Sequence, residues 1–351
     1  VDPADALARI AYLLDRSHAP AYRARAYHRA AAVVRALAPE EVADRARRHR
    51  LTDLEHLGPK TAAIVEQAVA GEVPPYLTEL EETTPVTAQT EGGAELVAAL
   101  RGDCHTHSTW SDGGADIATM ARAARALGHD YVVLTDHSPR LKVANGLTPE
   151  RLRAQLDEVA GVNAELETEV DDDAGITPFR ILTGIEVDIL DDGALDQDDA
   201  LLRRLDLVVA SLHSKLRMEE RAMTRRMATA VANPHVDVLG HCTGRLRASS
   251  GKSRPESTFD AELVFHACAR FDTAVEVNCR PERLDPPRRL LALAVEAGCR
   301  FSIDTDAHAP GQLEWQPYGA DRLAAAGVGP DRVVNAASAA DLLAWTASHA
   351  P

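Results

Sequence analysis

Nine side chains of the kinds that bind metal ions stand at, or just after, the ends of short apolar runs: His105, His107, Asp112, His137, Glu186, His213, His241, Asp306 and His308. Gathered in one place, six imidazoles and three carboxylates are a donor set for several divalent cations rather than one. His105 and His107 are two residues apart, so an extended chain aims both at the same side. Asp306 and His308 repeat that spacing at the far end of the pattern. A bare ionisable group in an interior is costly, and coordination compensates for it. Imidazole-rich sites favour zinc, manganese or iron over magnesium or calcium. Closely spaced cations of that kind make water a nucleophile near neutral pH. No protein nucleophile stands out in the chain.

These donors come from distant parts of the sequence, so the scaffold must open all its strand ends on one face. A parallel β/α barrel does this. From about residue 101, short β-type runs (GDCH, DYVVLTDH, FRILTGIE, LDLVVASLH, VDVLGH, AVEVN and RFSIDTDAH) alternate with helical stretches near 116–127, 150–165, 217–232, 257–271 and 286–297. The alternation predicts seven parallel strands with right-handed crossovers, closed as a barrel. Residues 1–80 carry apolar residues at helical spacing (ALARIAYLL, AAAVVRALA, TAAIVEQAVA) and read as a small all-α domain. Residues 81–100, rich in Thr, Pro and Gly, read as a linker, and 101–351 as the barrel domain. The acidic stretches at 171–173 and 191–199 read as solvated loops.

Composition narrows the class. No run of about 18 apolar residues is present, so no membrane span is expected. The N-terminal VDPADALARI lacks the basic start and apolar core of a secretory signal. The five cysteines (104, 242, 268, 279, 299) are scattered, with no CxxC pair, and are expected to pack as small hydrophobes in a reducing, cytoplasmic setting. The formal net charge is −16, carried wholly by residues 81–351, while residues 1–80 balance 11 basic against 11 acidic side chains. Between Arg16 and Arg50 nine arginines face three acids, a local excess of six. LEHLGPKTAAIV (54–65) then looks like a helix-hairpin-helix, in which a Gly-containing turn and a helix N-terminus bind DNA phosphate. Gly58, Lys60 and Thr61 fit that use, although His56 replaces the first glycine of the pattern.

DCHTHSTWSDG, VVLTDHS, TGIEVDI, ASLHS, LGHCTGR, EVNCRPERLD and DTDAH resemble the PHP (polymerase and histidinol phosphatase) superfamily. The pattern is most similar to the PHP module of bacterial family X DNA polymerases, over about residues 101–346 and including ANGLTPERL at 144–152. Residues 1–80 resemble the small N-terminal domain of the same polymerases, but no polymerase palm follows, so polymerase activity is not expected. Lyase activity is not expected either: it needs a Schiff-base lysine, and Lys60 is the only lysine before 142. The resemblance implies an α/β fold, a distorted (β/α)7 TIM-like barrel with a trinuclear site. Carried over, the first ion takes His105, His107, Glu186 and Asp306. The second shares Glu186 and adds His213 and His241, and the third takes Asp112, His137 and His308.

The activity so implied is phosphoester hydrolysis by water, which Glu186 positions. Arg140, Lys142 and Arg283 lie after strands and are candidates to clamp the phosphate, Arg283 foremost. Two substrate readings stand: DNA 3′ ends (3′–5′ exonuclease or 3′-phosphatase) held by the basic helices, or a small phosphate ester of the histidinol-phosphatase type. The acidic barrel favours the second reading; the charge split and the hairpin motif favour the first. A DNA-binding adaptor whose barrel only stores structural metal is a weaker third.

Overall fold

A computed structural model describes residues 1–83, 86–169, 179–247, 253–349. The acidic run at 171–173 lies outside the described residues. Two compact units form: Val1–Val86 with Pro310–Gln312, and Thr87–Ala309 with Leu313–Pro351.

The first unit is helical: α1 (Pro3–Arg16), α2 (Ala21–Arg35), α3 (Pro39–Arg47), α4 (Pro59–Val69) and α5 (Pro75–Thr83). Leu7, Ile10, Leu14, Val34, Leu51 and Val65 close a core of its own. Asp2 starts α1 by accepting from the Ala4 and Asp5 amides at 2.8 and 3.0 Å. Among the described residues no helix is long and apolar enough to cross a membrane.

The second unit opens with α6 (Glu91–Ala99) and continues with β1 (Gly102–Thr106), α7 (Ile117–Ala126), β2 (Tyr131–Leu134), α8 (Pro149–Thr168), β3 (Arg180–Asp188), α9 (Asp199–Leu202), β4 (Leu207–Ser211), α10 (Glu220–Val231), β5 (Val238–Leu239), α11 (Ala261–Phe271), β6 (Ala274–Asn278), α12 (Arg288–Glu296), β7 (Phe301–Asp304), α13 (Gln316–Ala324) and α14 (Ala339–Ala347). The seven strands are parallel and ordered as in the chain. The barrel nearly closes where β1 returns to β7. There the His107 amide donates to the Ala307 carbonyl at 2.8 Å, and the Cys104 amide donates to Asp304 at 2.9 Å. Strands such as YVVL and LVVAS are buried along their whole length, as expected where helices cover the outside and side chains fill the inside. Asp116, Thr148 and Asp260 cap α7, α8 and α11, which fixes where each crossover begins.

Two expectations need correcting. The segment 81–100 is not a plain linker, since it holds the end of α5 and all of α6. Asp321 of α13 anchors the start of α6, accepting from the Gln89 and Thr90 amides at 2.8 and 3.0 Å and from the Thr90 hydroxyl at 2.7 Å. The acidic stretch 191–199 is also more than a solvated loop. Asp196 accepts from Ser138 Oγ at 2.9 Å and from the Arg140 amide at 2.6 Å, and so holds the loop after β2. All five cysteines are buried and unbridged.

Candidate metal centre

Glu186, on β3, is the hub. Its Oε1 lies 3.2 Å from His213 Nε2 and 2.8 Å from His241 Nε2. Its Oε2 lies 3.4 Å from His105 Nε2, 3.6 Å from His107 Nε2 and 2.8 Å from His137 Nδ1. A second focus is Asp306, whose Oδ1 lies 3.3 Å from His107 Nε2 and 3.6 Å from His308 Nδ1. Asp112 Oδ1 stands 3.4 Å from both His137 Nε2 and His308 Nε2. All nine residues singled out in the sequence are thus brought together, His105 and Glu186 from within β1 and β3 and the others from the segments that follow β1, β2, β4, β5 and β7.

The donor set fits cations better than it fits itself. Both Glu186 oxygens, His105 Nε2, His137 Nδ1 and both ring nitrogens of His107, His213 and His241 are buried without a hydrogen-bond partner. So many orphaned polar atoms in an interior would be prohibitive unless something else satisfies them. Two donors roughly 2.1 Å from one ion stand roughly 3.0–3.4 Å apart, close to most of the separations seen. Donor atoms cluster as three overlapping groups: His107, Asp112, His137 and His308; His105, His107 and Asp306; and His137, Glu186 and His213. His107 and His137 each serve two groups, a more interlocked arrangement than three separate sets.

Electrostatics agree for the carboxylates. Burial pushes Glu186 up, but His213, His137 and His105 hold it well below the usual carboxylate range. Burial likewise works against Asp306, and Arg283, His107 and Arg280 hold it well below that range. Burial together with His308 and His137 pushes His107 well below the ordinary imidazole value, towards the neutral form that coordinates. Burial pushes His213 down, yet Glu186 and Asp188 draw it up to about 9.

Neighbouring residues fix these side chains. Glu276, inside β6, places Oε1 2.6 Å from His105 Nδ1, and its other oxygen accepts the His241 amide. Asp188 accepts the His213 amide at 3.1 Å and lies 3.4 Å from its Nδ1. Asn278 Nδ2 reaches Asp306 Oδ2 at 3.3 Å. Asp306 itself sits at φ 53°, a left-handed position that its surroundings hold at a functional spot. Asp136, just after β2, holds the loop that follows β1, accepting from the Ser108 amide and hydroxyl at 2.8 and 2.6 Å, and it also accepts from Gln155 at 2.6 Å. That loop packs tightly: a Cβ at Gly113 would meet the Ser108 backbone at 2.6–2.8 Å. Sequence reasoning passed over Glu276, Asp188 and Arg280. The readable signal was Glu276 itself, a carboxylate amid the apolar residues of AVEVN.

Of the three cations expected to clamp phosphate, Arg283 is at the cluster: Nε bonds Asp306 Oδ2 at 3.0 Å, and Nη1 is buried without a partner. Arg280 joins it, with Nη1 3.4 Å from His308 Nδ1 and 3.7 Å from Asp306 Oδ1. Arg140 instead leans on acids, 3.7 Å from both Asp188 and Asp191. Lys142 is exposed on the short turn Lys142–Ala144, and among the described residues no contact ties it to the ligands.

In the helical unit, His56 adopts φ 65° where a glycine was expected, so the turn forms despite the substitution. Gly58 and Lys60 are exposed. Thr61 differs from expectation: it is 5% exposed and its hydroxyl bonds the Gly58 amide and carbonyl at 3.0 Å, so it pins the turn rather than presenting a side chain to a ligand. Much of the arginine excess is also engaged: Arg35, Arg45, Arg47, Arg48 and Arg50 each pair with a carboxylate at 2.8–3.5 Å.

A helix-hairpin-helix domain pattern matches residues 2–73 and a PHP domain pattern matches residues 103–266. The chain is 40% identical over 246 residues to the DNA polymerase/3′–5′ exonuclease PolX of Bacillus subtilis, covering 70% of this chain but only 41% of that protein. A probable phosphatase of Syntrophotalea carbinolica is 28% identical over 244 residues, 66% of this chain and 90% of that protein. Among solved structures, a histidinol phosphate phosphatase of Lactococcus lactis superposes with a TM-score of 0.45 at 17% identity, over 65% of this chain and 94% of that one.

Proposed function

The chain carries a helix-hairpin-helix domain followed by a PHP domain, and from that premise we propose that it is a metal-dependent phosphoesterase acting on DNA 3′ ends, as an exonuclease or a 3′-phosphatase. The observation that carries the reading is Glu186: a buried carboxylate faced by five imidazoles, with no hydrogen bond to either oxygen. The likeness to a 3′–5′ exonuclease relative supports the nucleic-acid substrate.

The nine side chains would hold three divalent ions of zinc, manganese or iron. Such ions, when bound, acidify a water and draw charge off a phosphate oxygen. The protein's own groups do the rest. Glu276 keeps the His105 Nδ1 side engaged, so Nε2 faces Glu186. Asn278 and Arg283 hold Asp306 in register. The unpartnered Nη1 of Arg283 would take a non-bridging phosphate oxygen and so restrain the ester for attack in line with the leaving alcohol. Arg280, beside His308, adds positive charge on the same side. Gly58 and Lys60 offer a second, sequence-independent grip on a DNA phosphate.

A small-molecule phosphatase remains the second reading. The ion-paired arginines of the helical unit and the net charge of −16 favour it. One experiment separates the two. Bound metal is measured on the purified protein, and turnover is followed with manganese and with chelator on three substrates: a 3′-labelled single strand, a 3′-phosphate duplex and histidinol phosphate. We expect chelator-sensitive turnover of a DNA substrate, lost in Asp306→Ala and His107→Ala. Normal turnover by either variant would remove the assignment; turnover of histidinol phosphate alone would replace DNA with the small ester.

A further inference from the structure

We infer that an arginine-lined groove beside the metal cluster binds the phosphodiester backbone of a single-stranded nucleic acid, upstream of the phosphate being cut. The inference rests on the nucleic-acid reading above. The groove is a cavity of about 740 Å³ lined by residues 245–247 and 253–259, after β5, and by Arg289 and Leu290 of α12. Four of its lining residues are arginines (Arg245, Arg247, Arg254 and Arg289), against one carboxylate, Glu256. Glu256 is shared between Arg245, at 3.3 Å, and Arg289, so it cannot neutralise the set. A local excess of positive charge within a strongly acidic body marks a path for an anion.

Two further observations point to a ligand. Ser257 lines the groove at 5% exposure, and its hydroxyl has no hydrogen-bond partner. That hydroxyl is an unmet donor at the wall of the groove. The groove is also tied to the cluster through one turn. Arg245 Nε donates to the Arg283 carbonyl at 2.8 Å, while Arg283 Nε holds Asp306 at 3.0 Å. Burial and the nearby Arg283 both push the Arg254 guanidinium below its usual range, a crowding of like charges that an anion would relieve.

The arrangement suits a chain of phosphates more than a single one. The guanidinia come from two segments: Arg245 is held by the Arg283 and Leu284 carbonyls and Glu256, whereas the exposed Arg247 and Arg289 can each meet a separate phosphate. A lone phosphate ester fills the cluster and leaves the groove idle. A strand uses both, because they share the Arg283 turn. Arg247 is exposed, and the Arg289 side chain is 64% exposed, so both can be changed without disturbing the core.

The test uses the whole 351-residue chain and a short fluorescent DNA single strand, with anisotropy read across a salt series. We expect Arg247→Glu with Arg289→Glu to weaken binding roughly tenfold at fixed salt, and to flatten the slope of log K on log salt by about 0.7 for each phosphate no longer neutralised. Arg203→Glu makes the same kind of charge change on an exposed residue ahead of β4, at the other end of the barrel, and should do neither. Inorganic phosphate at constant ionic strength should not displace the strand; complete displacement would make the groove a free-anion site and overturn the inference. Wild-type affinity and slope in the double variant would also overturn it. A wild-type protein that binds no strand at any salt would instead remove the nucleic-acid reading on which the inference stands.

Discussion

Glu276 shows how much of the centre is set by residues that are not ligands. Its Oε1, 2.6 Å from His105 Nδ1, fixes which ring nitrogen turns towards Glu186. A carboxylate in that position also raises the basicity of the imidazole it holds. Glu276→Gln keeps the volume but removes the charge. We expect metal affinity to fall by about 10–100-fold, the range typical when such a partner is removed, measured by competition with a chromogenic chelator. Affinity equal to wild type would mean that Glu276 only fills space. The nine candidate ligands were legible in the sequence because each stands at or just after the end of an apolar run, and parallel strands all end on one face. Glu276 stood out only as a carboxylate amid the apolar residues of AVEVN, and its role was hidden because its partner, His105 on β1, is 171 residues away. The division of His107 and His137 between two groups was hidden for the same reason: it depends on distances, not on order along the chain.

At the scale of elements, the barrel strands and the helices between them were readable, and α6 was not. Its sequence, EGGAELVAA, carries two glycines in its first turn after a Thr-rich stretch, which by composition is a loop. Tertiary context overrides that. Asp321 gathers three donors from Gln89 and Thr90, and Thr90 in turn accepts the Gly93 amide at 3.0 Å. A Cβ at Gly93 would collide with the Asp321 carboxylate and come within 2.8 Å of Thr90 Oγ1. Glycine in a helix is normally worse than alanine by about 1 kcal/mol. Here the sign should reverse. Gly93→Ala is expected to destabilise the protein by about 1–3 kcal/mol, because the added methyl must displace an engaged carboxylate. Urea unfolding decides it: a stabilised variant would show that Asp321 swings away freely and that α6 owes little to its anchor.

For the molecule as a whole, the question is whether the metal cluster holds the barrel together or is merely held by it. Ten ring and carboxylate atoms of the ligand set are buried without hydrogen-bond partners, and their desolvation weighs against folding. Cations that bind the folded chain alone repay this by mass action, about 2.7 kcal/mol per site at a hundredfold excess over Kd. For a body of this size each kcal/mol moves Tm by about 2–4 °C. Chelation should therefore lower Tm by about 5–10 °C for each site emptied, and manganese or zinc added back should restore it. Calorimetry with and without chelator reads this directly, and without any substrate. It therefore tests the cluster independently of which phosphate ester the protein cleaves. A melting temperature indifferent to chelator would mean that the imidazoles and carboxylates satisfy one another, and the case for a water-activating centre would fail with it.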